Sequence, residues 1–207
     1  MTDFVYKRPL PLSIPLRLLD YAIKADTYES VLSALGSGIL AAAKRIDRGG
    51  EEVDDYEIEI VENLLGVAYV TCQQQINAIV HAVLRLPDAH TVLHLPEHGA
   101  RARILRDHGP RFDSKYSKVE VLWELANYFK HRDEWPRDNW TNPPTRTEHT
   151  LRVIMAAGLS GGSAGGNLRT GAEALGNTDY SDVEMFQEII RSWAAEVREN
   201  IRDKFGG

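Results

Sequence analysis

Apolar residues recur at helical spacing along most of the chain, and no stretch keeps the alternation of apolar and polar residues that is typical of a β-strand. The longest regular run starts near Asp54 or Asp55 and ends before Pro87. Its apolar and small positions are Val61, Leu64, Leu65, Ala68, Cys72, Ile76, Ile79, Val83 and Leu86. We therefore predict an all-α fold, with one domain over residues 1–207 built as a bundle of five to seven helices around this long helix.

Prolines and glycines indicate where the first helices begin and end. The prolines near the start of the chain predict an extended arm over residues 1–12, followed by a helix that Ser13 caps. The helical pattern continues to Arg48, where two glycines follow. A break is expected either at residues 25–27 or at the glycines within residues 36–38.

The second half of the chain contains shorter helical patterns separated by turn residues. Helices are expected to start at residue 100, at Ser114 or Ser117, at Thr145 and at Ser181. The last two starts have a glutamate three residues later, the spacing of a capping box. Residues 158–171, with the sequence GLSGGSAGGNLRTG, predict a flexible glycine-rich loop. A phosphate cradle is the alternative there, but the lysine of a P-loop is missing and the segment follows a helix instead of a strand.

A line of polar residues along one predicted helix is the main candidate for a functional site. At roughly 100° per residue, one arc of this helix is apolar and faces the core. That arc holds Val119, Leu122, Trp123, Ala126 and Phe129. An adjoining arc holds Glu120, Glu124, Asn127 and His131, which we call the polar stripe. The stripe is either a solvated face or, because it adjoins the apolar arc, a sheltered surface whose groups bond to one another.

Within this helix, the segment ANYFKH, residues 126–131, resembles a degenerate form of the Arg-polar-x-x-x-His motif of the HEPN superfamily. That superfamily comprises small helical bundles, among them metal-independent ribonucleases and non-catalytic partners in toxin–antitoxin and anti-phage systems. Asn127 matches the polar position and His131 the histidine, whereas Ala126 occupies the position of the family arginine. The resemblance implies His131 as general acid or base, Asn127 as an orienting group and Lys130 as a cation that offsets charge.

The missing arginine and the acidic stripe favour a protein without catalytic activity. Glu120 and Glu124 repel RNA, and the motif lacks a guanidinium to stabilise the charge that develops during phosphoryl transfer. We predict a module that binds a protein partner, such as an immunity protein, an antitoxin-type protein or an anti-phage component, without a cofactor. The alternative is a metal-independent ribonuclease that uses His131, Lys130 and Asn127, for which a homodimer that joins two stripes is one arrangement.

Further polar residues are candidates for a binding surface. Tyr69, Gln73 and Asn77 share one face of the long helix, which either faces solvent or joins the polar stripe. Arg132 directly follows the stripe. The candidate binding residues are therefore Glu120, Glu124, Arg132, Tyr69, Gln73 and Asn77.

The charge of the chain narrows the class of partner. The formal net charge is −6, whereas proteins that bind nucleic acids usually carry a basic field. An acidic surface suits a basic protein partner. A local basic cluster remains the alternative, and its residues are Arg101, Arg103, Arg106 and Arg111.

Cysteine, histidine and hydropathy indicate no redox site, metal site or membrane span. The single cysteine, Cys72, cannot form an internal disulfide. His90, His94 and His98 have the spacing of metal ligands on a helix, but Pro96 lies between the last two, so we predict no metal site. No apolar run reaches the roughly 18 residues that a membrane span needs, so we expect a cytoplasmic protein without membrane contact.

Overall fold

The computed structural model describes residues 13–24, 26–48, 55–87, 89–135, 140–161 and 166–205. Within these ranges the protein has nine α-helices, one 3-10 turn and no β-strand. The α-helices are α1 (Ser13–Ile23), α2 (Asp26–Arg48), α3 (Asp55–Leu84), α4 (Ala89–Val92), α5 (Ala100–Asp107), α6 (Lys118–His131), α7 (Thr145–Ala156), α8 (Asn167–Leu175) and α9 (Glu184–Phe205), and the 3-10 turn is Arg132–Glu134. The all-α prediction is confirmed, and the predicted arm over residues 1–12 lies outside the described ranges.

The number of helices exceeds the predicted five to seven because short helices form where the sequence shows little periodicity. Helix α4 has four residues and lies between Pro87 and Pro96. Helix α8 begins at Asn167, inside the stretch that predicted a loop over residues 158–171. Segments this short contain too few turns to show a helical repeat. The loop prediction therefore extended too far, and its residues 162–165 lie outside the described ranges.

The chain breaks between α1 and α2 at the first of the two expected places, and α2 continues through both of its glycines. Gly36 does not end the helix, and it allows close packing against another segment. A Cβ atom at Gly36 would lie 2.8 Å from the carbonyl oxygen of Ser181 and 3.0 Å from Cγ2 of Val183. Glycine therefore allows α2 to approach the segment that leads into α9.

Helix α3 is the centre of the bundle and packs against α1, α2, α6, α8 and α9. The largest fully buried side chains include Trp193, Tyr69 and Phe186. The rings of Tyr69 and Phe186 are 5.2 Å apart, and the indole nitrogen of Trp193 donates to the carbonyl oxygen of Ile104 at 3.0 Å. Cys72 is also fully buried in this core, and burial raises the pKa of its thiol. A thiol in this setting is unreactive.

The α3–α6 contact depends on a glycine. A Cβ atom built at Gly66 would lie 2.1 Å from the ring of Phe129, so only glycine allows the two helices to approach this closely. This contact places the polar face of α6 next to the middle of α3. None of the helices in the described ranges combines the length and the apolarity that crossing a bilayer requires.

The helix caps differ in part from the predictions. Ser117 caps α6, since its hydroxyl accepts from the backbone N–H of Glu120 at 3.1 Å. The predicted capping box at Thr145 is wrong, because Thr145 is the first helical residue and follows the N-cap Pro144. At the start of α9, Oδ1 of Asp182 accepts from the backbone N–H of Met185 at 3.3 Å, a capping contact one residue after the predicted Ser181.

Candidate functional site

Two carboxylates of the polar stripe are buried between helices. Glu120 is 1% exposed and Glu124 is 6% exposed, and they are one helical turn apart on α6. Helix α5 covers this face from one side and α7 covers it from the other. For these two residues the interpretation as a solvated face is wrong, because α7 packs along α6 and removes them from water.

Glu120 binds cations from two other helices. Its Oε1 accepts from the guanidinium of Arg106 on α5 at 3.1 Å and lies 3.2 Å from Nε2 of His149 on α7. Burial by itself raises the pKa of Glu120, but hydrogen bonds from His149 and Arg106 outweigh burial, and the pKa is lowered overall. The same hydrogen bond raises the pKa of His149. The carboxylate and the imidazolium therefore stabilise each other's charged form.

Glu124 and Asn127 form a chain of hydrogen bonds that crosses three helices. Oε2 of Glu124 accepts from the hydroxyl of Thr150 on α7 at 2.6 Å and from the amide of Asn127 at 2.9 Å. Oδ1 of Asn127 accepts from the amide of Gln73 on α3 at 2.8 Å. The ammonium of Lys130 donates to Oε1 of Gln73 at 2.7 Å. Asn127 and Lys130 thus use their polar groups to hold the bundle together.

Desolvation lowers the pKa of Lys130, while the nearby charge of Glu124 acts in the opposite direction. Oε1 of Gln73 on α3 accepts from this ammonium. Both ends of the Gln73 amide are therefore used, since its Nε2 also donates to the carbonyl oxygen of Trp123 at 3.1 Å. A network that satisfies this many polar groups rigidifies the packing.

His131 is separated from this network. Its side chain is 48% exposed, and its Nδ1 lies 3.3 Å from Oε1 of Glu134 in the 3-10 turn. It lines an open cavity of about 320 Å³ between the end of α6 and the start of α7, which we call the α6–α7 pocket. The pocket is lined by Asn127, His131, Glu134, Trp135, Arg146, Thr147 and Thr150. Asn127 and Thr150 belong to both the pocket and the hydrogen-bond chain.

The other candidate binding residues lie in different surroundings. Arg132 donates to Oδ1 of Asn63 on α3 at 2.9 Å and lies over the ring of Phe129. Tyr69 is buried in the core, and its hydroxyl donates to the carbonyl oxygen of Leu168. Asn77 is half-buried on α3. Of the three residues predicted to share a face of the long helix, the structure connects Gln73 to the polar stripe through hydrogen bonds.

The arginines of the predicted basic cluster bind partners within the protein. Arg106 pairs with Glu120, Arg103 pairs with Asp107 at 2.7 Å, and Arg101 lies over the ring of Trp123. Arg111 donates to the carbonyl oxygens of residues 106 and 113. These contacts stabilise the α5 region and reduce the positive charge available to phosphate groups.

The glycine-rich segment leads to a helix start that a carboxylate already occupies. Glu62 of α3 is 4% exposed, and its two oxygens accept from the backbone N–H groups of Leu168 and Arg169, each at 3.0 Å. Free N–H groups at a helix start are the usual site for a phosphate. Because Glu62 fills this position, the start of α8 offers no free anion site.

Three histidines and a second cavity are the remaining candidate sites among the described residues. Among the described residues, no group of three His, Cys, Asp or Glu side chains lies close enough to hold a metal, and His90, His94 and His98 are each exposed. A cavity of about 400 Å³ between α2 and α9 is larger than the α6–α7 pocket. Two of its three charged groups pair with each other, since Arg191 binds Glu29 across the cavity, and the third is Glu184.

Sequence reasoning did not identify the α7 residues of this site. His149, Thr150 and Arg146 project from a helix whose position against α6 no sequence pattern specifies. The sequence did contain one indication of these residues, because two carboxylates beside an apolar arc require cations or hydrogen-bond donors from another part of the chain.

A comparison of the chain with protein-family models, with curated proteins and with solved structures finds no match.

Proposed function

We propose that the protein is a non-catalytic helical module that binds a protein partner, as an immunity or antitoxin-type component or an anti-phage component. One observation carries this proposal: two of the three candidate catalytic groups, Asn127 and Lys130, are hydrogen-bonded within the bundle. Asn127 is held at both ends, by Gln73 and by Glu124. A side-chain amide that is held at both ends, as that of Asn127 is, stabilises the fold and is not free to orient a phosphate.

The α6–α7 pocket is the surface that we assign to the partner. It combines the indole of Trp135, the guanidinium of Arg146 and the carboxylate of Glu134. Tryptophan and arginine are the residue types that most often dominate the binding energy of an interface. Arg146 is exposed and forms no ion pair with any residue in the described ranges. The net charge of −6 favours a basic partner at long range, whereas the guanidinium of Arg146 suits a carboxylate or carbonyl group of that partner at the contact itself.

The test is a binding measurement with a charge reversal in the pocket. The partner is first isolated with the tagged protein from its source organism, and its affinity for the purified chain is then measured by calorimetry. We expect Arg146→Glu to weaken binding by about tenfold or more. The control is Arg152→Glu, which changes an exposed arginine on the same helix outside the pocket. Equal affinity of both variants, or the absence of any partner that binds the purified chain, would refute the proposal.

A second candidate function is cleavage of RNA, and one observation favours it. Arg146 lines the same pocket as His131 and Asn127, so an arginine from α7 lies in the region where the motif itself has Ala126. In such a reaction the 2′-oxygen of a ribose attacks the adjacent phosphorus while the next 5′-oxygen leaves. His131 would take the proton of the 2′-hydroxyl or supply one to the leaving oxygen.

Incubation with labelled single-stranded RNA, without metal, tests this second candidate. Cleavage by the wild type that is lost in His131→Ala and kept in His98→Ala would support it. His98 is a suitable control because it is exposed and lies outside the pocket. Intact RNA after incubation with the wild type would eliminate the candidate.

A further inference from the structure

A cluster of four ionisable side chains joins α5, α6 and α7. Glu120 and Glu124 lie almost fully buried on α6, and Nε2 of His149 lies 3.2 Å from Oε1 of the first and 3.7 Å from Oε1 of the second. The fourth member, Arg106, binds Glu120 from α5. A single imidazole therefore bridges two buried carboxylates.

The charge balance of this cluster requires a second cation. Arg106 neutralises one of the two carboxylates. The ammonium of Lys130 donates to Gln73 instead of to a carboxylate. Within the described residues, His149 is the one cationic side chain within 4 Å of Glu124. Buried carboxylates are costly unless they are paired, so the fold favours the protonated form of His149.

The hydrogen-bond geometry shows which property of the protonated ring matters. Oε2 of Glu120 is buried and has no hydrogen-bond partner in the described part of the chain. Both carboxylates contact the same ring nitrogen, Nε2 of His149, so a neutral imidazole with its proton on Nε2 already donates to them. Protonation adds the second N–H at Nδ1 together with a positive charge, and the two carboxylates favour that charge.

We propose that His149 is a pH-sensitive clamp, which holds α7 against α6 when it is protonated and loosens it when it loses its proton. The clamp makes the shape of the α6–α7 pocket depend on pH, and its effect on partner binding rests on the function proposed above. Asn127 and Thr150 line that pocket, and both donate to Oε2 of Glu124. A change in the charge that faces Glu124 therefore acts on two groups of the pocket wall.

Charged and titratable groups lie on the elements around His149, and three of them, Glu120, Glu124 and Arg106, shift its pKa. Those of the neighbouring elements are Glu120, Glu124 and Lys130 on α6, Arg106 on α5 and Tyr116 in the segment before α6, and those near it on α7 are Arg146, Glu148 and Arg152. The hydrogen bond that His149 donates to Glu120 has the largest effect and raises the pKa of His149, while burial and Arg106 lower it. Glu148 and Arg152 pair with each other, so their charges offset.

The direction of the pH dependence follows from the raised pKa. Since the pKa of His149 in the folded protein lies above its ordinary value of 6.5, its contribution to stability is complete below that value. The contribution is lost as pH rises through the folded-state pKa. The clamp is therefore closed below the ordinary pKa of histidine and opens as pH rises through the raised pKa of His149 in the folded protein.

The first experiment follows the histidine signals of the wild-type protein by NMR as pH is raised. We expect His149 to titrate above its ordinary pKa of 6.5, because its Nε2 contacts the carboxylates of Glu120 and Glu124. A midpoint at or below 6.5 would overturn the proposal. This measurement needs no substitution, so it decides the matter even if a variant fails to fold.

The second experiment measures the opening of α7 by hydrogen exchange, corrected for intrinsic exchange rates, between about pH 6 and about pH 9. We expect α7 to open about two- to fivefold more often at the alkaline end, the size of effect that a half-exposed ion pair gives. His149→Gln should remove this dependence, and His98→Gln should keep it. Parallel curves for the wild type and His149→Gln would refute the clamp. Neither readout uses a partner, so its failure is distinguishable from failure of the proposed function.

Discussion

Replacing Glu62 by glutamine tests how the glycine-rich segment is held. The carboxylate accepts two backbone N–H groups at the start of α8, each at 3.0 Å. An amide of the same shape keeps one acceptor and turns an N–H donor toward the other backbone donor. A hydrogen bond to a charged group contributes about 1.5–3 kcal/mol, and a negative charge at a helix start adds about 0.3–1 kcal/mol. We therefore expect Glu62→Gln to lower the free energy of unfolding by about 2–4 kcal/mol.

Urea denaturation followed by circular dichroism measures this change. The control is Glu59→Gln, which alters an exposed glutamate on the same helix and should change stability by less than about 0.5 kcal/mol. A loss below about 1 kcal/mol for Glu62→Gln would show that the carboxylate does not hold the start of α8. A nucleotide that binds the wild-type protein at α8 would contradict the same reasoning, since Glu62 occupies the anion position.

Three further predictions concern packing, reactivity and acid stability. Gly66→Ala should lower the free energy of unfolding by about 1–3 kcal/mol in urea titrations, because the added Cβ meets the ring of Phe129. The control is Gly38→Ala, whose Cβ would lie 3.3 Å from a leucine methyl and which should change the free energy of unfolding much less. Cys72 should react with a thiol reagent only as fast as the protein unfolds, so rapid reaction of the native protein would contradict its burial. Folding lowers the pKa of Glu120, so the contribution of Glu120 to stability is present above its ordinary pKa of 4.5 and is lost as pH falls through its pKa in the folded protein. Glu120→Gln should therefore flatten the acid side of a plot of unfolding free energy against pH. An unchanged acid side would refute this prediction.

The sequence predicted the direction in which α6 side chains point but not what covers them. The periodic positions Val119, Leu122 and Ala126 are fully buried, as the helical wheel indicated. The wheel also placed Glu120 and Glu124 on one adjoining arc. Their burial depends on α7, and the docking of one helix on another is set by tertiary packing, which a periodic pattern within one helix does not contain.

The candidate site was only partly predicted because a pattern within one helix does not show how helices pack against each other. Gln73 joins Asn127 because the α3–α6 contact at Gly66 brings the two helices close together. His131 follows the same helical spacing as the rest of the stripe, yet it lies at the end of α6, where the chain turns and exposes it. The pairing of His149 with two carboxylates joins side chains that are distant in sequence, and no local pattern indicates it.

The central claim is that Asn127 of the polar stripe fastens α6 to α3 through its hydrogen bond with Gln73. A double-mutant cycle between Gln73→Ala and Asn127→Ala, measured by urea denaturation, tests it most directly, because the two amides bond to each other at 2.8 Å. We predict a coupling free energy of about 1 kcal/mol between the two positions. Strictly additive effects of the two substitutions, within about 0.3 kcal/mol, would contradict the claim.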